Sequence, residues 1–119
     1  MKNIGVDIVE NSRFKTIIND KKKVDRFLSD KELVVFNNLT SDIRKIEYLA
    51  SRFSAKEAVI KAISYKGLSY SYKDISILNN ENGSPYVLFS FPTNFKILIS
   101  ISHAKENSIA FVLVEEEWK

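Results

Sequence analysis

No cysteine occurs in the chain, which excludes a disulfide framework and any thiolate metal site. No run of apolar residues is long enough to cross a bilayer. The start, Met1-Lys2-Asn3-Ile4-Gly5-Val6-Asp7, places an acid where a signal peptide needs an apolar stretch. A cytoplasmic protein with no membrane partner is therefore expected. Internal repeats and interdomain linkers are missing too, so residues 1–119 read as one domain. Charge of one sign is scarce: the net value is +3. That is a mild preference for anionic partners and too little to choose among nucleotides, nucleic acid and an acidic protein.

What remains is the composition of an ordinary globular domain, 45% hydrophobic and 28% charged. Ile4 to Val9 alternates as a strand, with Ile4, Val6 and Ile8 on one face and Gly5, Asp7 and Val9 on the other. Asp7 stands out because acids are disfavoured in strands. A cap or turn acceptor is its plain alternative role. A helix is expected from Asn11 or Ser12, with Phe14, Ile17 and Ile18 as its apolar side and a break at Asn19-Asp20. Ser29-Asp30-Lys31-Glu32 has the spacing of a capping box and predicts a helix over 30–38.

A long central helix is predicted over 42–64. Ile46, Leu49, Ala50, Phe53, Ile60 and Ser64 recur at spacings of three and four, and Glu57 falls in the middle of that stripe. A carboxylate on a core-facing line is costly unless it is paired or binds a metal. Lys61 lies at the stripe's edge, so an ordinary i,i+4 Glu-Lys pair is the bland alternative. Arg52 and Lys56 lie off it. Strands follow at 74–78, 86–89, 96–102 and 108–115, the first two joined by a turn in which Asn82-Gly83 supplies positive φ angles. The tail 115–119 reads as fraying. The fold class is α+β, with the long helix packed on a mainly antiparallel sheet.

Three features carry chemistry: Asp7 at a strand end, Glu57 with Lys61 on the helix, and His103, the single histidine, after Ser100-Ile101-Ser102. Two carboxylates from distant elements suit Mg2+, which takes hard oxygen ligands and keeps waters. Lysine and histidine beside such a site hold phosphate oxygens or move protons. A lone histidine is also commonly structural. Lys21, Lys22, Lys23 and Arg26 form the strongest basic cluster, and a solvated face is its plain alternative.

Gly5-Val6-Asp7-Ile8-Val9-Glu10 with Arg13, Arg52-Phe53-Ser54-Ala55-Lys56-Glu57-Ala58-Val59-Ile60-Lys61-Ala62, Gly83-Ser84-Pro85 and Ser100-Ile101-Ser102-His103 occur in that order. Together they resemble the holo-acyl-carrier-protein synthases, the small 4′-phosphopantetheinyl transferases of fatty-acid synthesis. The resemblance implies that Asp7 and Glu57 bind Mg2+ and that Lys61 sits beside the coenzyme A diphosphate. It places His103 and Ser102 in the coenzyme A site, and gives Arg52 and Lys56 phosphate or interface roles. Glu57, Lys61 and His103 are its catalytic candidates, with a metal-bound water or Glu57 acting through water as proton acceptor. Arg13 is implied to meet an acidic acyl carrier protein, and docking on Lys22, Lys23 and Arg26 would explain the basic cluster. A homotrimer with sites between subunits is implied as well.

One departure is visible. The family's K-A-x-G-T-G turn is replaced by Lys61-Ala62-Ile63-Ser64-Tyr65-Lys66-Gly67, with one glycine, three positions late. Two rivals remain: a nucleic-acid module using the basic cluster and exposed Tyr65, Tyr70 and Tyr72, and a Mg2+-dependent phosphohydrolase using the same carboxylates on water.

Overall fold

The computed structural model describes residues 2–116. Strand β1 (Lys2–Glu10) leads into two short 3-10 turns, Asn11–Phe14 and Ile17–Asn19, in place of the single helix expected there. The reason is Asn11, whose side chain is committed elsewhere. Its Nδ2 donates to Ala104 O at 3.0 Å and its Oδ1 accepts from Ser108 Oγ at 2.8 Å, tying the strand end to a distant hairpin.

Helix α1 (Lys21–Phe27), capped by Asp20, carries the basic cluster. Helix α2 (Asp30–Asn37) starts on the expected capping box, with both reciprocal hydrogen bonds between Ser29 and Glu32 in place. Helix α3 (Asp42–Ile63) begins where Ser41 accepts from Arg44 N at 3.0 Å. Four strands follow: β2 (Ile75–Asn79), β3 (Pro85–Phe89), β4 (Phe95–His103) and β5 (Asn107–Glu116). Of the tail expected to fray, Glu115 and Glu116 belong to β5, and 117–119 lie outside the described residues.

The strands divide between an antiparallel β1-β5-β4 sheet and a separate β2-β3 hairpin, so the one antiparallel sheet expected is two. In the β2-β3 turn only Gly83 takes a positive φ, of 88°; Asn82 instead accepts from Ser84 N at 3.0 Å.

Helix α3 is buried on nearly every side between Leu49 and Val59. Ala55, Ala58, Val59, Ala62 and Ile63 form one core with Ala110, Val112 and Val114 of β5 and Ile75 and Ile77 of β2. Phe14, Val24, Leu28, Phe36, Leu49, Ala50 and Phe53 anchor a second core. The expected stripe therefore holds only through Phe53. Beyond it, Glu57 and Ile60 are half-buried, Lys61 and Ser64 are exposed, and the core line passes to the alanines. Small residues win there because the sheet backbone comes too close for larger ones.

The closest approach is at Gly5, where an added Cβ would stand 2.0 Å from Ala58 O. This turns the Gly5-Asp7-Val9 face of β1 toward α3 and leaves the more apolar Ile4, Val6 and Ile8 outside, 51–61% exposed.

Candidate active site

Gly5 sits against Ala58, and the next inward residue along β1, Asp7, is reached by the long side chain of Lys61 from the adjacent helix. Lys61 Nζ donates to Asp7 Oδ1 at 3.0 Å and to Val6 O at 3.1 Å. The lysine side chain is 55% exposed, so solvent screens this pair and Lys61 is free to turn to another anion. Asp7 Oδ2 is buried with no hydrogen-bond partner. An orphaned carboxylate oxygen facing a helix is an unsatisfied acceptor waiting for a positive charge.

The i,i+4 pair between Glu57 and Lys61 does not form. Glu57 Oε1 instead accepts from Tyr72 OH at 2.9 Å. Burial, aided by that hydrogen bond and the Glu57 charge, pushes the Tyr72 phenol up to about 12, so it stays a protonated donor. The charges of Arg13 and Asp7 also act on this phenol, with smaller effects. Arg13 is positioned by the Phe53 ring, 5.0 Å below its guanidinium. Among the described residues no cluster of three or more His, Asp or Glu forms, so a cation here would take two carboxylates from this chain.

Lys56 is a correction. It is fully buried, forms an ion pair with the equally buried Glu32, and donates from Nζ to Phe27 O at 2.8 Å and Tyr72 O at 2.9 Å. Burial pulls its ammonium below the ordinary lysine range, and the Glu32 charge opposes that. An ammonium with every donor spent inside the protein cannot hold a ligand phosphate; its job is to join α1, α2, α3 and the Tyr72 turn. Arg52 is 8% exposed, with Nε on Ile77 O at 3.2 Å and its guanidinium 4.4 Å from the Tyr48 ring centre.

His103 is not brought to Glu57 and Lys61 within one chain. Its Nδ1 lies 3.5 Å from Glu47 Oε2, and Glu47 is about 15 Å up the helix axis from Glu57 at 1.5 Å per residue. His103, Glu47, Arg44 and Arg52 line a pocket of about 390 Å³ that Gly83 and Pro85 close. Ser102 falls on the other face of β4, opposite Ile109, and so is parted from that pocket by strand alternation. Lys22, Lys23 and Arg26 are exposed on α1, whose last residue Phe27 packs edge-on against Tyr72 at 5.5 Å. The helix that bears the basic cluster therefore adjoins Tyr72, the hydrogen-bond partner of Glu57.

Tyr72 is the residue that sequence reasoning missed, since it read there only as an exposed stacking ring and nothing local marks its hydroxyl. The tyrosines offered to stacking bases are engaged: Tyr65 OH donates to Glu116 Oε1 at 3.0 Å, and Tyr70 stacks on Phe91 at 5.7 Å. That removes the platform a nucleic-acid module needs.

Comparison with known proteins points the same way. A family model described as the 4′-phosphopantetheinyl transferase superfamily matches residues 3–114. The holo-acyl-carrier-protein synthase of Borreliella burgdorferi is 40% identical over 126 residues, covering 97% of this chain and 99% of the relative. That of a Geobacillus species is 43% identical over 114 residues, covering 94% of each. The crystal structure of the Bacillus anthracis holo-acyl-carrier-protein synthase in complex with CoA (3′,5′-ADP) superposes with a TM-score of 0.84 at 35% identity, covering 97% of this chain and 96% of that one.

Proposed function

The chain belongs to the 4′-phosphopantetheinyl transferase superfamily as a holo-acyl-carrier-protein synthase, and on that premise we propose how its residues carry a Mg2+-dependent transfer serving fatty-acid synthesis. The phosphopantetheine of coenzyme A passes to a serine hydroxyl of apo acyl carrier protein. The serine oxygen bonds to the phosphorus that bears the pantetheine arm, the bond from that phosphorus to the bridging oxygen breaks, and adenosine 3′,5′-bisphosphate leaves as the serine proton is lost.

The observation that carries the reading is the buried, unpartnered Oδ2 of Asp7, whose charge, with that of Glu57, acts on the Tyr72 phenol that holds Glu57. Two hard oxygen ligands from rigid elements fit Mg2+, which keeps its other positions for water and phosphate. An ion held there by Asp7 and Glu57 would supply neutralisation of the charge on the pyrophosphate. The rest falls to the chain. Asp7 and Glu57 hold the ion, and Lys61, loosely tied and exposed, turns to the diphosphate to stabilise the charge growing on the leaving group. Arg44, Arg52 and His103 offer the pocket suited to the anionic adenosine end.

The assay is intact-protein mass spectrometry of apo acyl carrier protein incubated with this chain, coenzyme A and Mg2+. A gain of one phosphopantetheine group that disappears with chelator is expected. Transfer at full rate in chelator overturns the metal reading, and release of free phosphopantetheine with adenosine 3′,5′-bisphosphate, without transfer, favours the hydrolase.

The carrier protein docks on Arg13, Lys22, Lys23 and Arg26, the last three on the helix that adjoins Tyr72, the hydrogen-bond partner of Glu57. Joint replacement Lys22→Glu, Lys23→Glu and Arg26→Glu should raise KM for carrier protein about tenfold or more and leave KM for coenzyme A alone, since steering charges act on encounter. Equal kinetics would reduce the cluster to a solvated surface.

The active unit is a homotrimer with sites between subunits. Ile4, Val6, Ile8, Leu98, Ile109 and Phe111 are 40–70% exposed on one sheet face, where a monomeric antiparallel sheet would be polar. The separation of His103 from Glu57 makes each chain the bearer of two half-sites. Mixing inactive Glu57→Ala chains with inactive His103→Ala chains, under conditions that exchange subunits, should restore about a third or less of the activity. No recovery would confine the site to one chain.

A further inference from the structure

We propose that Tyr72 is a positioning residue for the transfer, its hydroxyl fixing Glu57 so that one carboxylate oxygen is held and the other is presented to the cation. The inference rests on the metal reading of Asp7 and Glu57. Each of those carboxylates is restrained through a single oxygen: Asp7 by Lys61 at 3.0 Å, Glu57 by Tyr72 OH at 2.9 Å. Glu57 needs the restraint more. It sits on the half-buried line of α3 with three rotatable bonds, and a wandering glutamate makes a poor ligand.

Tyr72 itself is fixed from three directions. Its ring packs against both Phe27 at 5.5 Å and Phe53 at 5.6 Å, which also touch each other at 5.2 Å, so the three rings form a triangle. Its carbonyl accepts from Lys56 Nζ at 2.9 Å. The turn that carries it, Tyr72–Asp74, is capped by Ser71, whose Oγ accepts from Lys73 N at 3.3 Å. The buried lysine of the Lys56-Glu57 pair thus clamps the residue that aims its neighbour, one turn of chain serving both the core and the site. Hydrogen-bonding partners behind a metal ligand set its orientation, and their loss typically weakens metal binding by roughly ten- to a hundredfold.

The test is Tyr72→Phe, which keeps the ring in its aromatic slot and removes one oxygen. Mn2+ is titrated into wild type, Tyr72→Phe and Glu57→Ala with coenzyme A present, and free Mn2+ is read by electron paramagnetic resonance. Tyr72→Phe should weaken Mn2+ binding by about tenfold or more. The Mg2+ concentration for half-maximal transfer should rise in parallel, with most of kcat regained at saturating Mg2+. A purely structural hydroxyl would change the melting temperature and leave Mn2+ affinity where it was; that result, with binding lost in Glu57→Ala, overturns the inference alone. Wild-type Mn2+ affinity in Glu57→Ala overturns the metal reading and this inference with it.

Discussion

Asp7→Ala and Glu57→Ala are each expected to abolish phosphopantetheine transfer while leaving the chain folded. A cation at a phosphoryl centre stabilises the transition state by several kcal/mol, and each 1.36 kcal/mol is a factor of ten, so losses on the order of a thousandfold or more follow. The two variants should differ in stability. Asp7 Oδ2 is buried without a partner, and its pair with Lys61 is half in water. Asp7→Ala therefore removes a desolvated acceptor at little loss, and a melting temperature equal to or above wild type is expected, as is common where function keeps a strained group. Glu57→Ala forfeits its hydrogen bond with Tyr72, about 1 kcal/mol. Initial rates by mass shift, read beside thermal melts, separate the two effects. Transfer within tenfold of wild type in either variant would remove that carboxylate from the metal site.

The second large effect falls on stability and comes from a residue with no part in the chemistry. Glu32 caps α2 through Ser29 N at 2.9 Å, accepts from Ile77 N at 2.7 Å and neutralises Lys56, all with its side chain fully buried. Glu32→Ala strands an ammonium in the core together with two backbone donors. Breaking one side of a buried pair typically costs about 3–5 kcal/mol. For a domain near this size each kcal/mol is worth roughly 3–6 °C, so a fall of about 10–30 °C is expected. The double variant Glu32→Gln with Lys56→Met should recover much of it, since the charge is then gone and the amide oxygen still accepts from Ile77 N. A fall below a few degrees in Glu32→Ala would mean that water reaches the pair. A double variant no better than the single would mean that the backbone donors, not the charge, dominate.

The same pair shows where reading the sequence stops. Ser29-x-x-Glu32 announces a helix start because a capping box is a local device, closed within four residues. The long helix over 42–64 and the Gly83 turn were legible for the same reason, whereas the helix Lys21–Phe27 was not; Asp7, Glu57 and Lys61 stood out through their resemblance to a known motif. Local signals are ambiguous about partners. Lys56 and Lys61 flank Glu57 in one motif, yet Lys56 is fully buried and Lys61 is 55% exposed. The choice is made by Glu32, Phe27 and Tyr72 arriving from other elements.

Alternation in β1 was equally plain, and it does not say which face meets the helix. Hydrophobicity alone would turn Ile4, Val6 and Ile8 inward. Gly5 reverses that, because only a residue without Cβ can pass Ala58 O, and the reversal is what delivers Asp7 to Lys61. The sequence by itself determined which residues could do chemistry and where local structure begins and ends, since both depend on neighbours a few positions away. Tertiary structure alone decided which lysine is buried, which strand face is inside, that Tyr72 holds Glu57 and that His103 stands apart. Each of these is settled by excluded volume and desolvation between segments far apart in the chain, about which periodicity is silent.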